Sequence, residues 1–117
     1  MPTDYSVVLV TIPGRDKADA LAEALVKGRL AACVNILPGV SSVYWWKEKL
    51  ERSEELLLVI KTRGDLVPEL CEAVRKNHPH SVPEVLALPI GDGYPPYLDW
   101  LGAHTRFAAA APRRERP

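Results

Sequence analysis

The chain is poor in three things, and each shortage removes a class of function. Cysteine is the first: only Cys33 and Cys71 occur in 117 residues. They lie far apart among apolar neighbours, which fits two buried free thiols in a reducing compartment and not a disulfide scaffold. Excess charge is the second, since 15 basic side chains balance 15 acidic ones. A formal net charge of zero gives no long-range field to gather a phosphate backbone, so a nucleic-acid partner would need a strong local motif, and none is present. Long apolar runs are the third. Nothing approaches the roughly 20 residues that cross a bilayer, and Met1 to Ser6 lacks the basic start and apolar stretch of a signal peptide. No membrane partner is expected, and the expected location is the cytoplasm.

What remains is the composition of an ordinary globular domain, 47% hydrophobic and 26% charged. The length allows a single domain over 1–107, followed by a basic tail at 108–117 that is expected to be flexible. Eleven prolines and seven glycines punctuate the apolar runs without forming a low-complexity tract. Tyr5 to Ile12 is rich in β-branched residues and apolar nearly throughout, as for a strand covered on both faces or central in its sheet. Pro13-Gly14 breaks it. Asp16 is placed to cap a helix that carries Leu21, Ala24 and Leu25 on one face and closes at Lys27-Gly28. An extended pattern resumes at Leu30, with Ala32, Val34 and Ile36 on one side, and continues to Trp46 through a bulge or kink at Pro38-Gly39. Lys47-Glu48-Lys49 reads as the tip of a hairpin whose second arm is Leu50 to Thr62. Gly64-Asp65 opens a second helix with Leu66, Leu70 and Val74 on one face, ended by His78-Pro79. Glu84 to Ile90 is a fourth strand, held to a sheet edge by Pro89. Pro95-Pro96 begins a short last helix expected to carry Tyr97, Trp100 and Leu101 inward.

With right-handed crossovers, this order predicts an α+β, ferredoxin-like βαββαβ fold: a four-stranded antiparallel sheet with two helices on one face and a C-terminal helix added. A helix of about 12 residues is about 18 Å long and covers strands of only about six residues. The arms of the long central hairpin are twice that. About half of the hairpin must project, and the projecting part holds Val43, Tyr44, Trp45, Trp46 and Leu50. Pairing with other copies would bury the rings and continue the sheet, so Tyr44, Trp45 and Trp46 are expected at the subunit interface of an obligate homo-oligomer.

The residues also carry a family resemblance. Arg29-Leu-Ala-Ala-Cys-Val-Asn-Ile-Leu-Pro-Gly39, Tyr44-Trp-Trp46, Leu58-Val-Ile-Lys-Thr62, His78-Pro79 with Val82-Pro-Glu-Val85, Leu88-Pro-Ile90 and Tyr97-Leu-Asp-Trp-Leu101 together resemble the CutA divalent-cation tolerance family. The resemblance covers almost all of Tyr5 to Leu101. It implies a ferredoxin-like subunit assembled as a homotrimer through its hairpins, similar in architecture to the PII signalling proteins. It also implies tolerance of divalent metals, with Cu(II) or another divalent cation as ligand and no organic cofactor. In members with a proposed copper site the ligands are a Cys at the end of the first strand and a His-His pair before the Pro that closes the second helix. The matching positions here are Thr11, Asn77 and His78, so one donor of three is kept, and Thr and Asn are weak ligands for such a metal.

Several residues admit two readings. His78, with His80 beyond Pro79, is either a metal ligand or a cation favoured at a helix C-terminus. Lys61 and Glu84 either face a subunit-interface cleft and orient a small polar ligand or form a structural ion pair, and Tyr97 either caps that cleft or anchors the last helix. Cys33 reads as packed core and His104 as solvated. No Ser-His-Asp or Cys-His arrangement, phosphate loop or carboxylate pair stands out, so no enzymatic activity is expected. An RNA-binding module of this fold would need stacking aromatics within Leu56 to Ile60, and a copper metallochaperone would need Cys-x-x-Cys where Thr11-Ile-Pro-Gly-Arg15 stands. The competing reading is a PII-like signalling trimer that binds a small anion or nucleotide in its subunit clefts.

Overall fold

A computed structural model describes residues 3–108. The chain runs β1 (Tyr5–Ile12), α1 (Arg15–Lys27), β2 (Cys33–Trp46), β3 (Lys49–Arg63), α2 (Val67–Asn77) after a 3-10 turn at Gly64–Leu66, β4 (Val85–Pro89) and α3 (Pro95–Ala103). The strands are ordered β2-β3-β1-β4 and every neighbouring pair is antiparallel. This is the expected ferredoxin-like α+β arrangement, with β1 central and β4 at an edge. The expected flexible tail at 108–117 lies, beyond residue 108, outside the described residues.

Alternation along β1 and β3 decides which face is covered. Val8, Val10 and Ile12 on β1 and Leu58 and Ile60 on β3 are fully buried, and they pack with Leu21, Leu25, Leu70 and Val74 from α1 and α2. Ala22 lies on the buried face of α1, whereas Ala24, expected there, points outward. Asp16 was expected to cap this helix, but Gly14 occupies the cap position with φ 90° and makes no side-chain bond. A positive φ at Gly14 turns the chain directly from Pro13 into the helix, which leaves Asp16 inside the first turn, where its charge favours the dipole.

The opposite face of the sheet is only partly covered. α3 crosses it, with Leu101 fully buried and Gly102 so close to Tyr5 that a Cβ would overlap the phenol oxygen. Tyr97 and Trp100, expected to point inward, are 40% and 41% exposed. The helix meets the sheet through Leu101, Gly102 and the Tyr97 hydroxyl, which reaches Cys33 of β2, while the Tyr97 and Trp100 rings stack on one another at 5.5 Å and stay partly exposed. Leu37, Leu86 and Leu88 remain exposed.

Beyond the four-stranded region, β2 and β3 pair only with each other, from Val40↔Glu55 to Trp46↔Lys49. Trp45 is 72% and Leu50 61% exposed on this ribbon. Its projection raises the radius of gyration to 15.5 Å, against about 13 Å for a compact chain of this length.

The ribbon closes in a two-residue turn, Lys47 at φ 51° and Glu48 at φ 63°. Both occupy the left-handed region, where an L side chain costs roughly 1 kcal/mol and where Asn-Gly is the favoured pair. Glu48→Gly is therefore expected to raise stability by up to about 1 kcal/mol in denaturant unfolding. An unchanged or lower midpoint would contradict the strain assigned to this turn.

Candidate functional site

The first candidate lies at the end of β1. The Tyr5 carbonyl accepts the Ile90 amide at 2.9 Å, so the odd-numbered carbonyls of β1 face β4. Pairing with β4 stops at Val10↔Val85, which leaves the Thr11 carbonyl beyond the ladder. His78, the residue that ends α2, places Nε2 2.7 Å from that oxygen. Its other nitrogen, Nδ1, accepts the backbone N–H of His80 at 3.0 Å. An amide N–H can only donate, so Nδ1 carries the lone pair and Nε2 the proton that it donates to Thr11. Both ring nitrogens are thereby committed in one neutral tautomer. Burial lowers the pKa of the ring most, the Thr11 bond opposes this, and His80 and Glu55 act more weakly in opposite directions.

Of the three family ligand positions, Thr11 and His78 meet, but through the Thr11 backbone oxygen. Asn77 does not join them: its Nδ2 donates to the Ala73 carbonyl of its own helix at 2.7 Å. His80 approaches with its amide, its ring centroid 5.1 Å from that of His78. The adjoining depression is bordered by Lys17 and Lys76, whose ammonium groups oppose a dication. Among the described residues no three His, Cys, Asp or Glu side chains are gathered for one ion. An imidazole with no free lone pair, an amide turned away and a carbonyl already bonded do not fit Cu(II).

The second candidate lies on the open sheet face. Lys61 donates through Nζ to Asn35 Oδ1, and Nζ lies 3.9 Å from Cys33 Sγ. Tyr97 reaches the same sulfur from α3, and its phenol is pushed above the usual pKa first by burial and then by Cys33. Lys61 and Tyr97 were expected near one another, whereas Asn35 and Cys33 were not expected with them. Cys33 is half-buried beside Lys61 and not in the core, and Cys71 is also free and half-buried. The cause is strand alternation: Val34 and Ile36 pack against the core, so Cys33 and Asn35 between them fall on the open face, with Cys33 directly opposite Lys61. The bulge between Leu37 and Val40, where Gly39 has φ 79°, comes later in the strand and affects only the ribbon beyond it. The alternation of Ala32, Val34 and Ile36 was legible, and following it to the other face would have found this cluster.

Glu84 is exposed and stands apart. Lys61 pairs with Val7 and Val85 with Val10, so Glu84 stands level with Thr11, four residues along β1 from Lys61. That is about 13 Å at about 3.3 Å per residue, too far for an ion pair within one chain. Tyr44, Trp45 and Trp46 lie on the projecting ribbon, where the Tyr44 hydroxyl bonds the Ser53 hydroxyl at 3.3 Å. His104 is exposed at the end of α3, stacked on Trp100.

Residues 6–104 match the family model described as CutA1 divalent ion tolerance protein. The divalent-cation tolerance protein CutA of Thermus thermophilus is 50% identical over 99 residues, covering 85% of this chain and 96% of that protein. Protein CutA of mouse is 48% identical over 101 residues, 86% of this chain but only 57% of the mouse protein, so the chain spans little more than half of that relative. Among solved structures, the Thermus thermophilus protein superposes with a TM-score of 0.85 at 48% identity over 87% of this chain and 99% of its own. CutA1 from Oryza sativa superposes with a TM-score of 0.88 at 47% identity, covering 92% and 98%.

The His78 geometry sets a pH dependence. Below the ordinary histidine value of 6.5 the unfolded chain takes up a proton that the folded ring resists, because its folded pKa is lowered. Stability present above that pH is lost as the pH falls through the lowered value. Denaturant midpoints measured from about pH 8 to about pH 5 should decline in the native chain and less steeply in His78→Gln. Parallel profiles would contradict the burial assigned to the neutral ring.

Proposed function

This chain belongs to the CutA1 divalent ion tolerance protein family, and we propose on that footing that it serves divalent-cation tolerance as a non-catalytic homotrimer, with Cu(II) the first cation to test. The observation that supports assembly is the apolar surface a single copy leaves wet: Trp45, Trp46 and Leu50 on the ribbon and Leu86 and Leu88 on the open face. Burying one such Trp ring contributes about 3 kcal/mol, and further copies would also pair the free edges of the ribbon. Lys61, about 13 Å from Glu84 along the sheet, would join it in a ligand cleft only across a subunit boundary, with Tyr97 beside Lys61 through Cys33. A small polar ligand held there is part of the proposal. Catalysis is not, because His78, the most exploitable base, has both nitrogens bonded to backbone. The two free thiols support a reducing, cytoplasmic setting.

Sedimentation at micromolar concentration tests the assembly. One species of about 39 kDa is expected for three 13.0 kDa chains, and it should not dissociate without unfolding. Replacing Trp45 and Trp46 by Ser should weaken it far more than Lys27→Ser on the outer surface of α1. A folded monomer of 13.0 kDa would overturn the proposal.

A further inference from the structure

The imidazole that survives at the family's ligand positions has another task. We infer that His78 is a positioning residue in this chain, its neutral ring standing in for the strand hydrogen bond that β4 does not supply at Thr11, and that this task withdraws it from metal binding. The inference rests on the family assignment only for which positions count as ligands.

Three observations carry it. The Thr11 carbonyl is the next acceptor in the row that serves β4, and His78 Nε2 fills it at 2.7 Å where the strand has not yet begun. The other nitrogen receives the His80 amide at 3.0 Å, so one ring ties the end of β1 to the segment that leads into β4. The residue is 9% exposed, which makes either bond costly to leave unmade. A cation on Nδ1 would orphan the His80 N–H. A cation on Nε2 would require loss of the ring proton there and would orphan the Thr11 carbonyl. The surroundings offer no complete set in exchange: Asn77 is bonded to its own helix, Lys17 and Lys76 border the approach, and His80 and Glu55 complete no group of three ligands with His78 among the described residues.

The segment held this way leads into β4, whose register places Leu86 opposite Leu9 and Leu88 opposite Val7 on the open face. His78 therefore bears on the placement of these exposed leucines through β4 and not through a ligand of its own.

Histidine-selective NMR on the full chain tests the ring directly. At neutral pH the His78 signals should be those of a neutral ring protonated on Nε2, and added Zn(II) should leave them in place. A charged ring, an Nδ1-protonated ring or early displacement of these signals by Zn(II) would overturn the inference. Cu(II) calorimetry gives a second arm: His78→Gln, which can still donate to Thr11, and His78→Asn, which can still accept from His80, should bind as the native chain does. A loss of about tenfold or more in either, the scale expected when a metal site is damaged, would make His78 a ligand. In denaturant unfolding His78→Ala should have the lowest midpoint of the three variants, and a native midpoint for it would remove the positioning role. If the native chain took up no Cu(II), the copper reading above would fail while the NMR arm still decided this inference.

Discussion

The strands of the central hairpin are longer than the helices that could cover them, and most of the molecule follows from that mismatch. α1 and α2 have 13 and 11 residues, whereas β2 and β3 have 14 and 15. At 1.5 Å per helical residue against about 3.3 Å per strand residue, the helices bury only the half of the hairpin that pairs with β1. The other half is a two-stranded ribbon, marginal in water by itself and carrying two tryptophans. The second sheet face has the same need, because α3 covers it only where Leu101 and Gly102 meet Tyr5. In the proposed assembly, further copies of the chain would answer ribbon and face together.

Much of this was legible in the sequence. Pro13-Gly14, the Lys47-Glu48 tip, His78-Pro79 and the proline pair at 95–96 divide the chain close to its true elements, and handed crossovers turn that order into one topology. The motifs from Arg29 to Leu101 named the family. What escaped was set only in part by geometry that leaves little pattern. Cys33 reads as core from its apolar sequence neighbours, although alternation with Val34 and Ile36 sets it on the open face opposite Lys61. Tyr97, Trp100 and Leu101 lie close together on a short helix, so periodicity could not tell that Leu101 would be fully buried while the two rings stay partly exposed. The bond from His78 to Thr11 spans 67 residues of sequence and uses a backbone oxygen, which no residue type announces.

The two clusters differ in what they leave free. At the end of β1 the His78 ring nitrogens, the Thr11 carbonyl, the His80 amide and the Asn77 side chain are already paired within the chain. The Thr11 and Asn77 side chains take no part in those bonds from His78 to backbone, so the order of the ring does not depend on either side chain being a metal donor. On the open face Lys61, Asn35, Cys33 and Tyr97 converge beside the surface assigned to assembly. A ligand of the assembled protein is better sought there than at His78.

Hydrogen exchange of the native protein reads the mismatch where it is most acute. In a lone subunit the outward amides of Val40 to Trp46 and Lys49 to Glu55 face water on a two-stranded ribbon and would exchange almost freely. If neighbouring copies cover the ribbon, these amides are expected to exchange nearly as slowly as those of β1, the central strand. Rapid exchange of the ribbon beside a protected β1 would contradict assembly through the hairpin.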